Sequence, residues 1–338
     1  MKKQKRILIV RPDRIGDVVL STPIPREIKK TYPDSFVAVM LKKYTADIYT
    51  YNPYVDKIIL IDDYDDGSIE TFWKKVDEIR SYKFTHALML LPKERINYML
   101  FFAGIPYRVG VGHKFYQFIT FTHYVSRNKY IPLRHEADYC MDLARKIGIQ
   151  TNNLEPEIYL SEEENQIKNE LRNKFLNGKR YLIGIHTTSG NSAPNWTTKS
   201  YKKLIERLSK EFEFQIAVTD NNPPNELINI EGVLYPNINK TLRQSIINFA
   251  ALDMLVSSST GPMHICAALK VKTISMFCPL TACSPNLWGP LGNQSKIIIP
   301  SNGYCSKVCP GNPKVCTFEG ENGIDVESVF QSIFNLLK

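Results

Sequence analysis

Four ionisable side chains surround a single glycine near the start of the chain. The stretch RPDRIGDVVLSTP, which follows the apolar run RILIV, begins with two arginines, two aspartates and one glycine: Arg11, Arg14, Asp13, Asp17 and Gly16. Because an unpaired buried charge costs several kcal/mol, this stretch predicts a site and not a piece of core. Arg11 and Arg14 could hold phosphate or carboxylate oxygens, and Asp17 could act as a general base. The spacing equally allows Asp17 to be only a carboxylate that stabilises a helix N-terminus.

A second stretch, HTTSGNSAPNW at residues 186–196, also follows an apolar run. Its short hydrogen-bond donors are Thr187, Thr188 and Ser189, and Trp196 is expected to open the next helix. Loops after strands of a parallel sheet are the usual place for a ligand, so these side chains are candidates for binding one.

A third stretch, SSSTGPMHICAAL at residues 257–269, predicts a helix whose N-terminus is rich in donors. Ser259 and Thr260 precede Gly261, and His264 follows one turn later. Such a terminus could hold a diphosphate, although an ordinary capped helix explains this stretch by itself somewhat better. The three stretches together favour a nucleotide sugar or a similar anionic ligand.

The elements that would position these loops alternate between short apolar runs and helical patterns. RILIV, FVAVML, KIILI and HALML predict buried parallel strands, because each is a continuous apolar run bounded by polar residues. Between them, IETFWKKVDEIRSY places Ile69, Phe72, Val76 and Ile79 on one helical face. This alternation predicts the α/β class with doubly wound parallel sheets.

The alternation is interrupted once and then starts again. A predicted helix ends at Gly148, and the polar stretch QTNNLEPEIYLSEEENQ, with its acidic run 162–164, is interpreted as a linker. Beyond it, RYLIGIH, FQIAVT, MLVSS and KTISMF predict further strands. A length of 338 residues favours two domains. We therefore expect two Rossmann-like domains, 1–155 and 156–338, that face a central cleft.

Composition restricts the class of protein. The formal net charge is +9, with 43 Lys and Arg against 34 Asp and Glu, which indicates an anionic partner or simply a Lys-rich protein about equally. The basic N-terminus leads into an apolar run too short for a signal peptide, and no run reaches the length of a membrane span. The first loop lacks a GxGxxG pattern, which disfavours a dehydrogenase. We expect a cytoplasmic protein.

A basic and aromatic region in the first half is a candidate acceptor surface. Lys93 and Arg95 follow HALML, and YRVGVGHKFYQF adds His113 and Lys114 beside aromatic residues. Such a surface could bind a phosphorylated glycolipid at a membrane or single-stranded nucleic acid. It could equally be a basic face that only contacts solvent. No RRM, KH or helix-turn-helix signature occurs, so nucleic acid is not an expected partner.

The three loops together resemble a known family. ILIVRPDRIGDVVLSTP, IGIHTTSGNSAPNWT and SSSTGPMHICAALKVKTISMF are similar to three successive signatures of the family 9 glycosyltransferases, the ADP-heptose:lipopolysaccharide heptosyltransferases. KIILID, RHEADYCMDLARKIGI and WGPLG also fit. The resemblance implies a GT-B architecture, an acceptor-binding first domain, a donor-binding second domain, inversion at the sugar carbon and no required cofactor or metal. It further implies ADP-heptose as donor, a phosphorylated glycolipid or lipopolysaccharide-core glycan as acceptor, and a place at the cytoplasmic face of the inner membrane.

The resemblance also implies roles for single residues. Asp17 matches the aspartate of the family's Gly-Asp pair and takes the role of the base. The donor site is expected to use Thr187, Thr188, Ser189, Lys199, Glu226, Ser259, Thr260, Gly261 and His264. The acceptor is expected, from the residues themselves and not from the resemblance, to meet Arg11, Arg14, Gly16, Lys93, Arg95, His113 and Lys114.

Two departures from the family pattern concern the donor site. Pro194 stands where the family often has a lysine, and Ser259 stands where it often has an aspartate. They suggest altered phosphate contacts, using Lys199, Arg14 or Arg11. The sequence therefore leaves three alternatives open: another nucleotide sugar, a protein acceptor, or a non-catalytic nucleotide- or polyanion-binding module of the same fold.

The seven cysteines raise a separate question, because an odd number argues against a disulfide framework. Cys305, Cys309 and Cys316 occupy a Gly/Pro-rich stretch, with Cys278 and Cys283 upstream. Thiols on turns could hold zinc or iron, as in some relatives of the family, but this spacing does not match a paired CxxC site. Reduced thiols and no metal are expected.

Overall fold

The computed structural model describes residues 4–62, 67–127, 130–191 and 193–338. The chain divides into two units, Met1–Tyr159 and Leu160–Lys338, whereas the sequence predicts a boundary after residue 155. Each unit is built on one six-stranded sheet. None of the helices in the described residues combines the length and hydropathy that a bilayer span requires.

The sheet of the first unit consists of parallel strands. They are β1 (Arg6–Val10), β2 (Phe36–Leu41), β3 (Lys57–Leu60), β4 (His86–Met89), β5 (Tyr107–Val111) and β6 (His123–Val125). Their order is β3-β2-β1-β4-β5-β6. The four predicted strands are confirmed to within a residue. Strands β5 and β6 were not predicted, because Arg108 interrupts the apolar run of the first and the second has only three residues.

Helices cover the sheet of the first unit. They are α1 (Ile15–Val19), α2 (Pro23–Thr31), α3 (Lys43–Ala46), α4 (Ile69–Ser81), α5 (Glu94–Phe102), α6 (Phe115–Ile119) and α7 (Glu136–Arg145). In α4, Val76 and Ile79 are buried as predicted, but Ile69 is 74% exposed because the first turn of the helix extends beyond the core. The predicted helix end at Gly148 is wrong. Helix α7 ends at Arg145, and Gly148 adopts a positive φ of 96° in the following turn.

The sheet of the second unit is also parallel. Its strands are β7 (Tyr181–His186), β8 (Phe214–Val218), β9 (Val233–Leu234), β10 (Met254–Ser258), β11 (Lys272–Met276) and β12 (Ser295–Ile298), in the order β12-β11-β10-β7-β8-β9. The four predicted strands of this half are confirmed. The two sheets confirm the predicted α/β class with two Rossmann-like units.

The helices of the second unit correct two predictions. They are α8 (Glu162–Leu176), α9 (Thr198–Leu208), α10 (Leu242–Ala250), α11 (Gly261–Ala268), α12 (Pro285–Trp288), α13 (Tyr304–Lys307) and α14 (Val326–Leu337). The acidic run 162–164 is the first turn of α8 and not linker, since Ser161 and Glu164 form a capping box and carboxylates stabilise a helix N-terminus. Trp196 is buried ahead of α9, which Thr197 caps.

Candidate active site

The first candidate group lies where β1 ends, and it is organised by a buried arginine. Arg11 is 1% exposed, and its Nη2 lies 2.6 Å from Asp17 Oδ1. Its Nη1 donates a hydrogen bond to the carbonyl of Leu90 at 3.1 Å, which fixes the guanidinium at the end of β4. Asp17 is in α1, and its side chain is 18% exposed. Arg11, which is itself held by the Leu90 carbonyl, thus holds the solvent-accessible carboxylate of Asp17.

A second carboxylate, which the sequence analysis did not single out, shares this arginine. Glu136 is 1% exposed, and its Oε1 accepts hydrogen bonds from Arg11 Nη2 and Arg127 Nη1, each at 3.1 Å. The Cys140 thiol lies 3.5 Å from the same oxygen. The sequence signal was a glutamate at the start of a predicted helix with apolar spacing, a position that also suits a plain helix cap. Only the fold shows that it is buried against Arg11.

The surroundings of Asp17 change its protonation. Burial raises the pKa of Asp17 to about 6, although the Arg11 guanidinium acts in the opposite direction. Carboxylates at Asp13 and Glu136 add to the upward shift. A carboxyl with this pKa is largely deprotonated at neutral pH and more basic than an ordinary aspartate.

Three cations line a pocket of about 370 Å³ next to this group. They are Arg14, Lys42 and Lys93, which follow β1, β2 and β4 at the carboxyl edge of the sheet. The structure thus brings together two of the predicted acceptor residues and adds Lys42, which sequence reasoning missed. Lys42 had no signal of its own beyond its place directly after an apolar run. Such a pocket can bind a phosphate group.

The other predicted acceptor residues lie outside the lining of that pocket. Arg95 donates a hydrogen bond to the carbonyl of Ser68 and stacks over Phe72, with 5.2 Å from its guanidinium carbon to the ring centroid. His113 and Lys114 precede α6, and the His113 ring centroid lies 3.6 Å from that of Tyr124. Gly16 is a backbone position inside α1 whose carbonyl accepts from the amide of Leu20. Their acceptor roles, and that of the buried Arg11, stay predictions.

In the second unit, the loop after β7 is held by a buried aspartate that the sequence analysis missed. Asp220 is 1% exposed and follows β8. One of its oxygens accepts from the amide and the hydroxyl of Thr187, at 2.8 and 2.9 Å. The other accepts from the amide and hydroxyl of Thr188, at 2.9 and 2.7 Å. The two threonines therefore keep their hydroxyl oxygens, but not their hydroxyl protons, available to a ligand.

Asn195 connects this loop to the last residue of β10, where the next loop begins. Its Nδ2 donates to the carbonyl of Thr187 at 2.6 Å, and its Oδ1 accepts from the Ser258 hydroxyl at 2.7 Å. The Tyr201 hydroxyl donates to the same Oδ1 at 2.7 Å. The second and third stretches of the sequence analysis are thereby joined at one edge of the sheet.

A pocket of about 400 Å³ lies against the first of these two loops. Thr187, Thr188 and Ser189 line it, and so do Lys314 and Cys316 from the later part of the chain. The structure thus brings three predicted donor residues to one cavity and adds a lysine. Nothing in the sequence indicated Lys314, because it lies far along the chain from residue 187 and only the fold brings it to the same pocket.

The remaining predicted donor residues lie outside the lining of that pocket. Thr260 is the N-cap of α11, Gly261 is its first residue, and His264 is buried one turn later. Lys199 is exposed in the first turn of α9, and Glu226 is exposed in a 3₁₀ turn after β8. Ser259 lies between β10 and the cap of α11. Their roles toward a donor stay predictions.

The late cysteines approach one another in the second unit. A hydrogen bond with Cys278 lowers the pKa of Cys283 to about 7. Burial raises the pKa of Cys305 and of Cys316, and the Cys316 sulfur lies 3.5 Å from the hydroxyl of Tyr304. Among the described residues, no group of three or more His, Cys, Asp or Glu side chains has the geometry to hold a metal ion. All seven cysteines are free thiols.

Two Rossmann-like units with charged and hydroxyl-rich loops at the carboxyl edges of parallel strands are the architecture of GT-B glycosyltransferases. The family model for glycosyltransferase family 9 (heptosyltransferase) matches residues 72–310, and the chain belongs to that family. The resemblance found in the sequence is therefore confirmed.

Individual relatives agree with this assignment at low identity. Lipopolysaccharide heptosyltransferase 2 of Escherichia coli K12 is 24% identical over 324 residues, which cover 88% of this chain and 89% of the relative. The solved structure of a family 9 glycosyl transferase from Veillonella parvula superimposes with a TM-score of 0.79 at 19% identity, covering 100% of this chain and 98% of that one. The structure of E. coli heptosyltransferase WaaC with ADP-2-deoxy-2-fluoro heptose gives a TM-score of 0.66 at 14% identity, covering 98% and 99%.

Proposed function

We propose that this chain transfers a heptose from ADP-heptose to a hydroxyl of a phosphorylated lipopolysaccharide-core or related surface-glycan acceptor, with inversion. The observation that carries the proposal is Asp17, a solvent-accessible carboxylate held by a buried arginine, with a pKa raised to about 6. A base should have a pKa near the working pH, and this group does. Membership of family 9 supports the sugar, and the fluoro-heptose nucleotide in the WaaC structure supports the donor.

The proposed reaction is a single displacement. The acceptor hydroxyl oxygen attacks the anomeric carbon of the heptose and forms the new glycosidic bond. The bond from that carbon to the diphosphate oxygen breaks, and ADP leaves with its electron pair. The hydroxyl proton passes to the Asp17 carboxylate. Attack on the face opposite the leaving diphosphate inverts the configuration.

In this proposal the acceptor's phosphate lies in the pocket of the first unit. Arg14, Lys42 and Lys93 follow three different strands and line one cavity of about 370 Å³, which the Asp13 carboxylate also lines. Several cations around one pocket favour a group that carries more than one negative charge, such as a phosphate monoester. That arrangement supports a phosphorylated acceptor over a neutral glycan or an unmodified protein.

The donor diphosphate is assigned to the second unit. The hydroxyl oxygens of Thr187 and Thr188 would face the nucleotide, and the eight-residue helix α11 would direct its N-terminal amides toward the phosphates. Lys314 lines the cavity beside the two threonines. It would supply the positive charge that is missing because Pro194 stands where the family often has a lysine. In the proposal the α11 amides and Lys314 neutralise the leaving ADP, and no metal ion is required. The two threonine oxygens, whose protons go to Asp220, accept hydrogen bonds from hydroxyl or amino groups of the nucleotide.

The test is a transfer assay with defined donors. Purified protein is given a phosphorylated core acceptor and one of ADP-heptose, ADP-glucose or UDP-glucose, and product is followed by ADP or UDP release and by the mass of the glycan. We expect a heptose mass increment only with ADP-heptose, in the presence or absence of EDTA, and an inverted anomeric configuration by NMR. Transfer from another nucleotide sugar, or binding of ADP without any turnover, would contradict the proposal.

A further inference from the structure

Asn195 of the second unit forms side-chain hydrogen bonds with three separate elements. Its Nδ2 donates to the carbonyl of Thr187, in the loop after β7, at 2.6 Å. Its Oδ1 accepts from the Ser258 hydroxyl, at the end of β10, and from the Tyr201 hydroxyl, in α9, each at 2.7 Å. Because a carbonyl oxygen can only accept, the amide nitrogen must face Thr187 and the amide oxygen the two hydroxyls.

These hydrogen bonds lie where the order of the strands reverses. Strand β7 neighbours β10 on one side and β8 on the other. The sheet continues from β7 through β8 to β9 in one direction, and from β10 through β11 to β12 in the other. Loops that leave such a pair of strands turn to opposite faces of the sheet and open a crevice, which is the usual ligand site of an open α/β sheet. The Asn195 side chain therefore lies at the crevice between β7 and β10.

The position of Asn195 along the two strands indicates its role. The last residue pair between β7 and β10 is His186 with Ser257. Asn195 joins the residues that follow this pair, Thr187 and Ser258, with hydrogen bonds of 2.6 and 2.7 Å. The side chain thus continues the connection beyond the backbone ladder and sets the width of the crevice where it begins.

Asn195 can hold this width because its own backbone is fixed. The next residue, Trp196, is 3% exposed, and its indole N–H donates to the carbonyl of Ile324 at 3.0 Å. The backbone amide of Asn195 donates to the carbonyl of Cys316 at 3.3 Å. Cys316 lies in the segment that brings Lys314 to the pocket of about 400 Å³. Asn195 thus also connects the crevice to the proposed donor lysine.

The threonine loop has a different support on its other side. Asp220, which follows β8, accepts hydrogen bonds from the amides and hydroxyls of Thr187 and Thr188. Those bonds set the direction of the two hydroxyls. Asn195 instead contacts the backbone carbonyl of Thr187, so it affects where the loop lies and not which way its hydroxyls point.

We propose that Asn195 is a positioning residue for the donor nucleotide, because it sets the distance between the two edges of the crevice. On one edge are the oxygens of Thr187 and Thr188, with Lys314 in the same pocket, and on the other edge β10 leads through Thr260 into α11. ADP that contacts both edges gains from a fixed distance between them, as any ligand with two linked binding groups does. The identity of the nucleotide rests on the proposed function, whereas the hydrogen bonds of Asn195 do not.

The test is a double-mutant cycle between Asn195 and Ser258 in the full chain, with ADP affinity measured by calorimetry well below the melting temperature. We expect Asn195→Ala to weaken ADP binding about five- to tenfold, since it removes a hydrogen-bonded connection. Ser258→Ala breaks the same connection from the other side, so it should weaken ADP binding by a similar factor. The double variant should bind ADP within about twofold of either single variant, because the connection can be broken only once.

Tyr201→Phe is the matched control, because it removes a hydrogen bond to the same Asn195 oxygen without breaking the connection between the two edges. Tyr201 is buried, so we expect a lower melting temperature and an ADP affinity within about twofold of wild type. A residue that only stabilises the fold would behave like Tyr201. If Asn195→Ala fails to fold, Ser258→Ala is compared with Tyr201→Phe, and equal ADP affinities in these two variants would overturn the proposal.

Two results of the cycle would also overturn the positioning role. One is wild-type ADP affinity in folded Asn195→Ala. The other is a pair of losses that multiply in the double variant, because Asn195 and Ser258 would then each contact the nucleotide independently.

The transfer assay separates this proposal from the proposed function. If the cycle gives the expected coupling but the wild type transfers no heptose, the positioning role stands and the proposed function fails. If the wild type transfers heptose from ADP-heptose and the cycle shows no coupling, the proposed function stands and the positioning role fails.

Discussion

Arg11 Nη2 lies 2.6 Å from Asp17 Oδ1, and the arginine is buried while solvent reaches the carboxylate. The charge that holds the proposed base therefore cannot swing out to meet a ligand. It orients Asp17 and keeps its pKa from rising further, while burial raises that pKa to about 6. In the proposed reaction this pairing positions Asp17 for proton transfer.

The first prediction concerns Asp17 itself. Asp17→Asn keeps the shape of the side chain and removes its capacity to take a proton, so kcat should fall by about 10² to 10⁴. The affinity for ADP, measured by calorimetry, should be unchanged because the mutation does not touch the donor loops. Asp13→Asn is the comparison at a neighbouring carboxylate, 3.8 Å from Arg11 Nε. It leaves the base in place, so kcat at neutral pH should change little, although loss of the Asp13 charge lowers the pKa of Asp17. An Asp17→Asn enzyme with near wild-type turnover would rule out the base.

The second prediction follows from the raised pKa of Asp17. The base acts deprotonated, so kcat/KM should fall below pH about 6. The folded state holds this proton more tightly than the unfolded state, whose carboxyl titrates near pH 4, so this group's contribution to the free energy of unfolding decreases as pH rises from about 4 to about 6. Glu27, Asp142 and Glu164 have lowered pKa values and contribute in the opposite direction in both proteins. The decrease should therefore appear in the difference between the free energies of unfolding of wild type and Asp17→Asn, measured in urea across this range.

The third prediction uses Glu136, whose charge adds to the upward shift of the Asp17 pKa. Glu136→Gln keeps an oxygen for Arg11 and Arg127 while removing the negative charge, so the acid limb of kcat/KM should move to lower pH. A merely structural glutamate would change the melting temperature without moving this limb. An unmoved limb in a folded variant would contradict the assignment.

The fourth prediction concerns the lysine of the donor pocket. Lys314→Ala should weaken ADP binding by up to about fivefold, as measured by calorimetry, because Lys314 is exposed and an exposed charge pair contributes up to about 1 kcal/mol. Lys199→Ala tests the residue that the sequence favoured for the same role, and its smaller effect would assign the cation to Lys314. A larger loss of ADP affinity in Lys199→Ala than in Lys314→Ala would assign the cation to Lys199 instead.

The fifth prediction concerns the aspartate that holds the threonine loop. Asp220→Asn places an amide group against hydroxyl and amide donors, so the free energy of unfolding should fall by about 2–3 kcal/mol in urea titrations. Glu226→Gln is the control, because Glu226 is exposed and should change stability by less than about 0.5 kcal/mol. A stable Asp220→Asn protein with normal ADP affinity would contradict the role of Asp220 in shaping the loop.

Local patterns determined much of this protein. Continuous apolar runs such as FVAVML and RYLIGIH became parallel strands because a strand covered on both faces needs apolar residues throughout. The three candidate loops followed from the rule that loops at the carboxyl ends of parallel strands carry the ligand site, whereas the expectation of a base at Asp17 came from the resemblance to family 9. The acidic run 162–164 was misread because charge and polarity are shared by linkers and by capped helix starts.

Contacts between distant parts of the chain were decided only by the tertiary structure. Glu136 is 125 residues from Arg11, and Asp220 is 33 residues from Thr187. Lys42 and Lys93 line one pocket because they follow different strands of the same sheet. No local pattern reports such pairs, because strand order and register set them, and the order β3-β2-β1-β4-β5-β6 is not written in any single segment. The exposure of Phe115 and Phe118 is of the same kind, since FYQFI by its composition would be expected in a core. The amino-acid sequence thus determined which groups are available for chemistry, and the packing of the sheet decided which of them share a buried charge, a pocket or a surface.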